Sequence, residues 1–140
     1  MNHTPNSKRW MVVDDNPVML ALTARILRSL PGSEVVACDN PRQALEVFMA
    51  EPESFEMLVT DLEMPEFDGL ELSRRVRARS PRLHVLLISG SDLEAADVLG
   101  AGLDAFLPKP CLAAELLKVV RTVLASESHH AGRGTPASLA

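Results

Sequence analysis

The sequence has few cysteines, no long apolar run and no excess of basic residues, and each absence removes a class of function. Cys38 and Cys111 are the only cysteines. They are too few for a disulfide scaffold and lie in no CxxC or CxxH spacing, so both read as reduced thiols. The apolar stretches run only four to six residues, far short of the roughly 20 that a membrane span needs. The first nine residues are polar and lack the apolar core of a secretory signal, which makes the cytoplasm the expected location. A net charge of −5 speaks against a nucleic-acid-binding face, whose mark is a concentration of Lys and Arg. No internal repeat is visible.

What is present is a globular composition, with 46% apolar and 24% charged residues. A chain of 140 residues suits one domain with a full hydrophobic core. Short apolar runs at 10–13, 34–37, 57–60, 85–88 and 105–107 alternate with helix-like segments. Met11-Val12-Val13, Met57-Leu58-Val59 and Val85-Leu86-Leu87-Ile88 are apolar on both faces, as in strands buried inside a parallel sheet. Glu34-Val35-Val36-Ala37 is more mixed and suits an edge. Asn16-Pro17 and Asn40-Pro41 each place a capping residue before a proline at the first helical position.

The first helix carries apolar residues at 19, 22, 26 and 30 and ends at Pro31-Gly32; the second buries Ala44, Leu45 and Phe48. A third spans 70–78 behind the turn and cap of Asp68-Gly69, and a weaker one spans 92–99. The last, 113–124, has Leu116, Leu117, Val120 and Leu124 on one side. Five β-then-α units imply an α/β fold, a doubly wound five-stranded parallel sheet with helices on both faces. The folded unit is expected over 9–125. Segments 1–8 and 126–140 have no periodicity and are expected to be disordered.

In such a fold ligands bind beyond the carboxyl ends of the strands. The first run ends in Asp14-Asp15, the third in Asp61, the fourth in Ser89 and the fifth in Lys109. Three carboxylates held close repel one another unless a cation neutralises them. An all-oxygen ligand set suits a hard cation, with Mg²⁺ the most available. A hydroxyl and an ammonium are natural partners for phosphate oxygens. The set therefore fits a carboxylate nucleophile, a divalent metal and a phosphoryl group.

Asp14-Asp15, the run Asp61-Leu62-Glu63-Met64-Pro65-Glu66-Phe67-Asp68-Gly69, Ser89-Gly90 and Phe106-Leu107-Pro108-Lys109-Pro110 together resemble the receiver domains of two-component response regulators, the CheY-like family. The resemblance covers about residues 9 to 125. It implies the flavodoxin-like strand order 2-1-3-4-5. It makes Asp61 the phosphoacceptor, taking its phosphoryl group from the phosphohistidine of a histidine kinase or phosphotransfer protein. Asp14, Asp15, Asp61 and the backbone carbonyl of Glu63 would hold Mg²⁺ (or Mn²⁺), with Asp14 acting largely through water. Lys109 and Ser89 would each meet a phosphoryl oxygen, and Ser89 with Phe106 would form the conformational switch read by a partner protein. The resemblance also implies a cis peptide between Lys109 and Pro110, a dephosphorylation rate tuned at Glu63 and Ser91, and a monomer or a phosphorylation-dependent dimer. One departure is a stretch from Ser89 to Gly102 about two residues shorter than is common in the family.

Two other functions compete. A phosphatase with an aspartate nucleophile, of the haloacid dehalogenase kind, would carry a D-x-D motif, whereas this chain has Asp61-Leu62-Glu63 and no cap domain. A degenerate receiver serving as a phosphorylation-independent interaction module would lack an acidic ligand, the acceptor or the lysine, and all are present. Flavin binding finds no phosphate cradle, because the loop from Asp14 to Val18 has no Ser, Thr or Gly.

Overall fold

A computed structural model of the chain describes residues 8–90, 102–109 and 111–126. Every apolar run is a strand in it: β1 (Lys8–Val13), β2 (Ser33–Cys38), β3 (Phe55–Asp61), β4 (His84–Ser89) and β5 (Ala105–Pro108). They pair in parallel in the order β2-β1-β3-β4-β5, the doubly wound order expected, with the mixed strand β2 at an edge. The described residues contain four α-helices: α1 (Pro17–Arg28), α2 (Pro41–Ala50), α3 (Gly69–Arg79) and α4 (Ala113–Ala125). None of them is long and apolar enough to cross a membrane. The helix expected over 92–99, Ser91, the shortened stretch around them, Pro110 with its peptide bond, and most of both polar ends lie outside the described residues. At those ends Lys8 opens β1 and Ser126 caps α4.

The helices begin where their capping chemistry places them. Asn16 accepts hydrogen bonds from the N–H groups of Val18 and Met19, Asn40 from Gln43 and Asp68 from Glu71. Each cap is worth about 1 kcal/mol. Strand residues then alternate between two cores. Met11, Val13, Leu58, Val85 and Leu87 pack under α2 and α3 with Ala44, Phe48, Leu72 and Val76. Trp10, Val12, Met57, Val59, Leu86 and Ile88 pack under α1 and α4 with Ala24, Leu27, Leu116, Val120 and Val123. Each fully buried large side chain contributes about 1.5–3 kcal/mol.

Two features depart from the pattern of the sequence. On α1 the buried residues are Thr23, Ala24 and Leu27, one position on from the stripe 19, 22, 26 and 30, and Leu22 is 48% exposed. Small residues at 23 and 24 let the helix lie close to the sheet, and the bulkier stripe turns toward α4. In β3, Glu56 is an extra residue: Arg9 pairs with Phe55 and Trp10 with Met57. This bulge puts Phe55 and Met57 on opposite faces although they are two residues apart.

The end of the sheet remote from the strand carboxyl termini is held by a polar staple. The Arg77 guanidinium on α3 donates to the carbonyls of Leu83 and Gly102 and, at 2.7 Å, to Asp104. The Asp104 carboxylate also accepts from the Val85 N–H at 2.7 Å, and His84 Nδ1 lies 3.8 Å from its other oxygen. Burial works to raise the Asp104 pKa, but His84, the Val85 N–H and Arg77 outweigh it, and the carboxyl stays below the usual carboxylate range. A carboxylate depressed by folding contributes stability above its unfolded pKa of about 3.9 and loses it as pH falls through the lower folded value. Asp104→Asn is therefore expected to cost about 1.5–3 kcal/mol at neutral pH. The gap to wild type should close as the pH drops below about 4. Urea denaturation of both proteins across the acid range measures it.

Candidate functional site

Four of the expected residues meet at the carboxyl ends of the central strands. Asp14 follows β1, and its N–H extends the ladder to the Cys38 carbonyl. Its side chain is 8% exposed and accepts a hydrogen bond from the Asn16 N–H, which ties the carboxylate to the start of α1. Asp61 ends β3 and is 7% exposed, while Asp15 is open to solvent. One carboxylate oxygen from each of the three lies within 4.8 Å of the others. Lys109, just past β5, places Nζ 3.1 Å from Asp61 and 3.4 Å from Asp14. Its N–H donates to the Ser89 carbonyl at 2.8 Å, so the lysine is hung from the end of β4.

The residues expected to switch stand beside this group. Ser89 is fully buried at the end of β4, paired with Pro108. Phe106 lies opposite Leu87 and packs, half-buried, against the core beneath α2 and α3. Glu63 lies in the loop after Asp61 with its side chain exposed. That loop closes through the Gly69 N–H, which donates to the Leu62 carbonyl at 2.8 Å. A Cβ on Gly69 would run into the backbone carbonyl of Asp61, so the residue expected as a turn and cap also makes room for the acceptor strand.

Electrostatics follow from this crowding. Burial pushes the Asp61 carboxyl above its ordinary range, the Asp14 charge pushes the same way, and Lys109 opposes both. Burial also works against the charge of Lys109, but the Asp61 and Asp14 carboxylates outweigh it and raise its pKa. Three carboxylates against one ammonium leave a formal charge of −2 (−3 + 1). With oxygen donors alone, the cluster fits a hard divalent cation.

One part of the site had no signal as a motif. A cavity between α1 and α4, lined by Met19, Leu22, Ile26, Cys111 and Leu116, opens onto Asp14, Asp61 and Lys109. Next in sequence to lining residues Met19 and Cys111, Val18 is 73% and Leu112 69% exposed. Apolar residues of α1 outside its buried stripe were the available clue.

Comparison with known proteins agrees with the geometry. A family model described as "Response regulator receiver domain" matches residues 10–121. The two-component response regulator ARR13 of Arabidopsis thaliana is 32% identical over 116 residues, covering 81% of this chain and 20% of that protein. The response regulator MprA of Mycolicibacterium vanbaalenii is 33% identical over 134 residues, covering 94% of this chain and 56% of that one. The chain thus spans from about a fifth to about half the length of these relatives. The solved structure of the response regulator TrrA of Thermotoga maritima, in complex with Mg²⁺ and BeF, superposes with a TM-score of 0.73 at 26% identity, covering 83% of this chain and 98% of that one.

The charge balance predicts an unusual response to substitution. A carboxyl whose pKa folding raises costs stability wherever it is ionised in both states. In metal-free solution Asp61→Asn is therefore expected to melt a few degrees above wild type at neutral pH. The difference should vanish below about pH 4, where the unfolded carboxyl also protonates. Calorimetric melting of both proteins with chelator present measures it.

Proposed function

The chain belongs to the response-regulator receiver family, and from that premise we propose that it is a phosphoacceptor in a two-component pathway, with Asp61 taking the phosphoryl group from a phosphohistidine. The family is a signalling module rather than a turnover enzyme. The observation that carries the proposal is the meeting of Asp14, Asp15, Asp61 and Lys109 within a few ångströms at the strand ends. Mg²⁺ would be held by the three carboxylates and the Glu63 carbonyl, and when bound it would neutralise charge shared by the acceptor and the incoming phosphoryl group. A related structure carrying Mg²⁺ and BeF supports that reading.

The chain's own residues then have distinct tasks. Asp61, anchored on β3, presents a carboxylate oxygen in line with the phosphorus; a P–O bond forms as the bond to the donor imidazole breaks. Lys109 exchanges its contact with Asp61 for a phosphoryl oxygen. The Ser89 hydroxyl turns to another oxygen, and the Phe106 ring fills the space it leaves. Phosphate shifts this two-state equilibrium only by its differential contacts. One charge-assisted hydrogen bond, about 1.5–3 kcal/mol, is a shift of about ten- to a hundredfold. The cytoplasm is the fitting location for such a partner. Asp14, Asp15, Asp61, Ser89 and Lys109 are all present, so the degenerate, phosphorylation-independent reading has no residue in its favour.

The direct test is intact-mass spectrometry after incubation with acetyl phosphate. Wild type should gain one phosphoryl group only when Mg²⁺ or Mn²⁺ is present, and Asp61→Asn should gain none. Equal labelling of the mutant would overturn the assignment.

The donor protein is expected to cover the start of α1 and the chain before α4, because Val18, Leu22 and Leu112 are exposed there and Leu22 lines the cavity that reaches Asp61. Val18→Asp is expected to slow transfer from a phosphorylated histidine kinase about tenfold or more, the size of losing a contact of 1.4 kcal/mol or above. Labelling by acetyl phosphate should stay within about twofold, since a small donor needs no docking surface.

A further inference from the structure

The loop from Asp61 to Gly69 contains a backbone turn that needs outside support. Glu66 has φ +80°, the only non-glycine residue with positive φ among the described residues. The Phe67 N–H donates to the Pro65 carbonyl at 3.0 Å across it. A hydrogen bond spanning two residues about a central φ near +75° is the rare, strained form of γ-turn. A side chain with a Cβ resists that conformation, and glycine would accept it without penalty.

The turn is held from two sides. Arg42, in the first turn of α2, pairs with the Glu66 carboxylate at 2.8 Å. Arg75, on α3, lies over the Phe67 ring at 4.3 Å from its centroid. The tight reversal lets the chain return for the Gly69 N–H to reach the Leu62 carbonyl and for Gly69 to fit beneath the Asp61 carbonyl. Between those fixed points lies Glu63. Strain kept at a reactive site points to a role for the constraint that maintains it.

We propose that Arg42 is a positioning residue for metal binding: it holds Glu66 in the left-handed turn and thereby sets the loop that carries the Glu63 carbonyl. The inference rests on the proposed Mg²⁺ site, and Arg42 acts through Glu66 without touching the ion. Its pair with Glu66 is solvent-exposed on both sides, 67% for Arg42 and 41% for Glu66. The effect should therefore be modest, about two- to fivefold, the usual scale of an exposed ion pair.

The experiment is Mg²⁺ titration by calorimetry, together with amide exchange of Gly69 in the metal-free protein. Arg42→Ala should raise the Mg²⁺ dissociation constant about two- to fivefold and speed Gly69 exchange by a similar factor. Arg42→Lys should restore most of both. Glu66→Ala, which keeps the strain and loses the pair, should resemble Arg42→Ala. Glu66→Gly should bind Mg²⁺ like wild type, and in that background Arg42→Ala should add nothing. Arg42→Ala indistinguishable from wild type in both measurements, or equally damaging in the Glu66→Gly background, would overturn the proposal. If wild type itself binds no Mg²⁺, the functional reading fails instead, and the Gly69 exchange rates still decide whether Arg42 holds the turn.

Discussion

Three carboxylates forced together against their own repulsion are the constraint on which the rest of the structure depends. Lys109 offsets only part of that charge, and it does so from between the ends of two strands, with its N–H on the Ser89 carbonyl and its ammonium on Asp61 and Asp14. Holding such a group costs stability that must come from elsewhere. The two apolar cores supply it, and their placement explains why they can. Each central strand is covered on both faces, so the polar ends project from a rigid platform.

The backbone around the site is correspondingly committed. The Asp14 N–H continues the ladder to Cys38, the Leu62 N–H continues it to Ile88, and the Lys109 N–H continues it to Ser89. The reactive residues are thus the last rungs of the sheet rather than members of independent loops. Asp61 is held further by the Thr60 hydroxyl, which donates to its carbonyl, and by Gly69 packed against that carbonyl. Precision of this kind suits a reaction whose catalysis is positioning and charge neutralisation.

Much of this was legible in the sequence because the signals are local. Asn16-Pro17 and Asn40-Pro41 announce helices by chemistry that acts within three residues, and runs such as Val85 to Ile88 announce a strand covered on both faces. Asp14, Asp61, Ser89 and Lys109 were found because a parallel sheet sends all its strand ends the same way. What escaped depends on contacts between distant residues. The Arg77–Asp104 pair joins residues 27 apart in the chain, and no periodicity marks it. The packing face of α1 was displaced because small Thr23 and Ala24 fit against the sheet better than the bulkier stripe beside them. Glu66 carried no warning of its left-handed backbone, since glycine is the residue that usually gives one.

The bulge at Glu56 bears on how the chain can vary in length. From Arg9 to Asp14 is five steps (14 − 9), but from its partner Phe55 to Asp61 is six (61 − 55). The two acidic residues nevertheless arrive level, because Val13 still pairs with Thr60. The surplus residue is absorbed at the far end of the strand, where the Glu56 carboxylate accepts the indole N–H of Trp10. A chain without Glu56 would keep Phe55 and Met57 on their present faces and would lose the acceptor of the Trp10 indole N–H. One-residue insertions and deletions are therefore tolerable at the closed end of β3, while the same change between Met57 and Asp61 would turn the reactive carboxylate into the opposite layer.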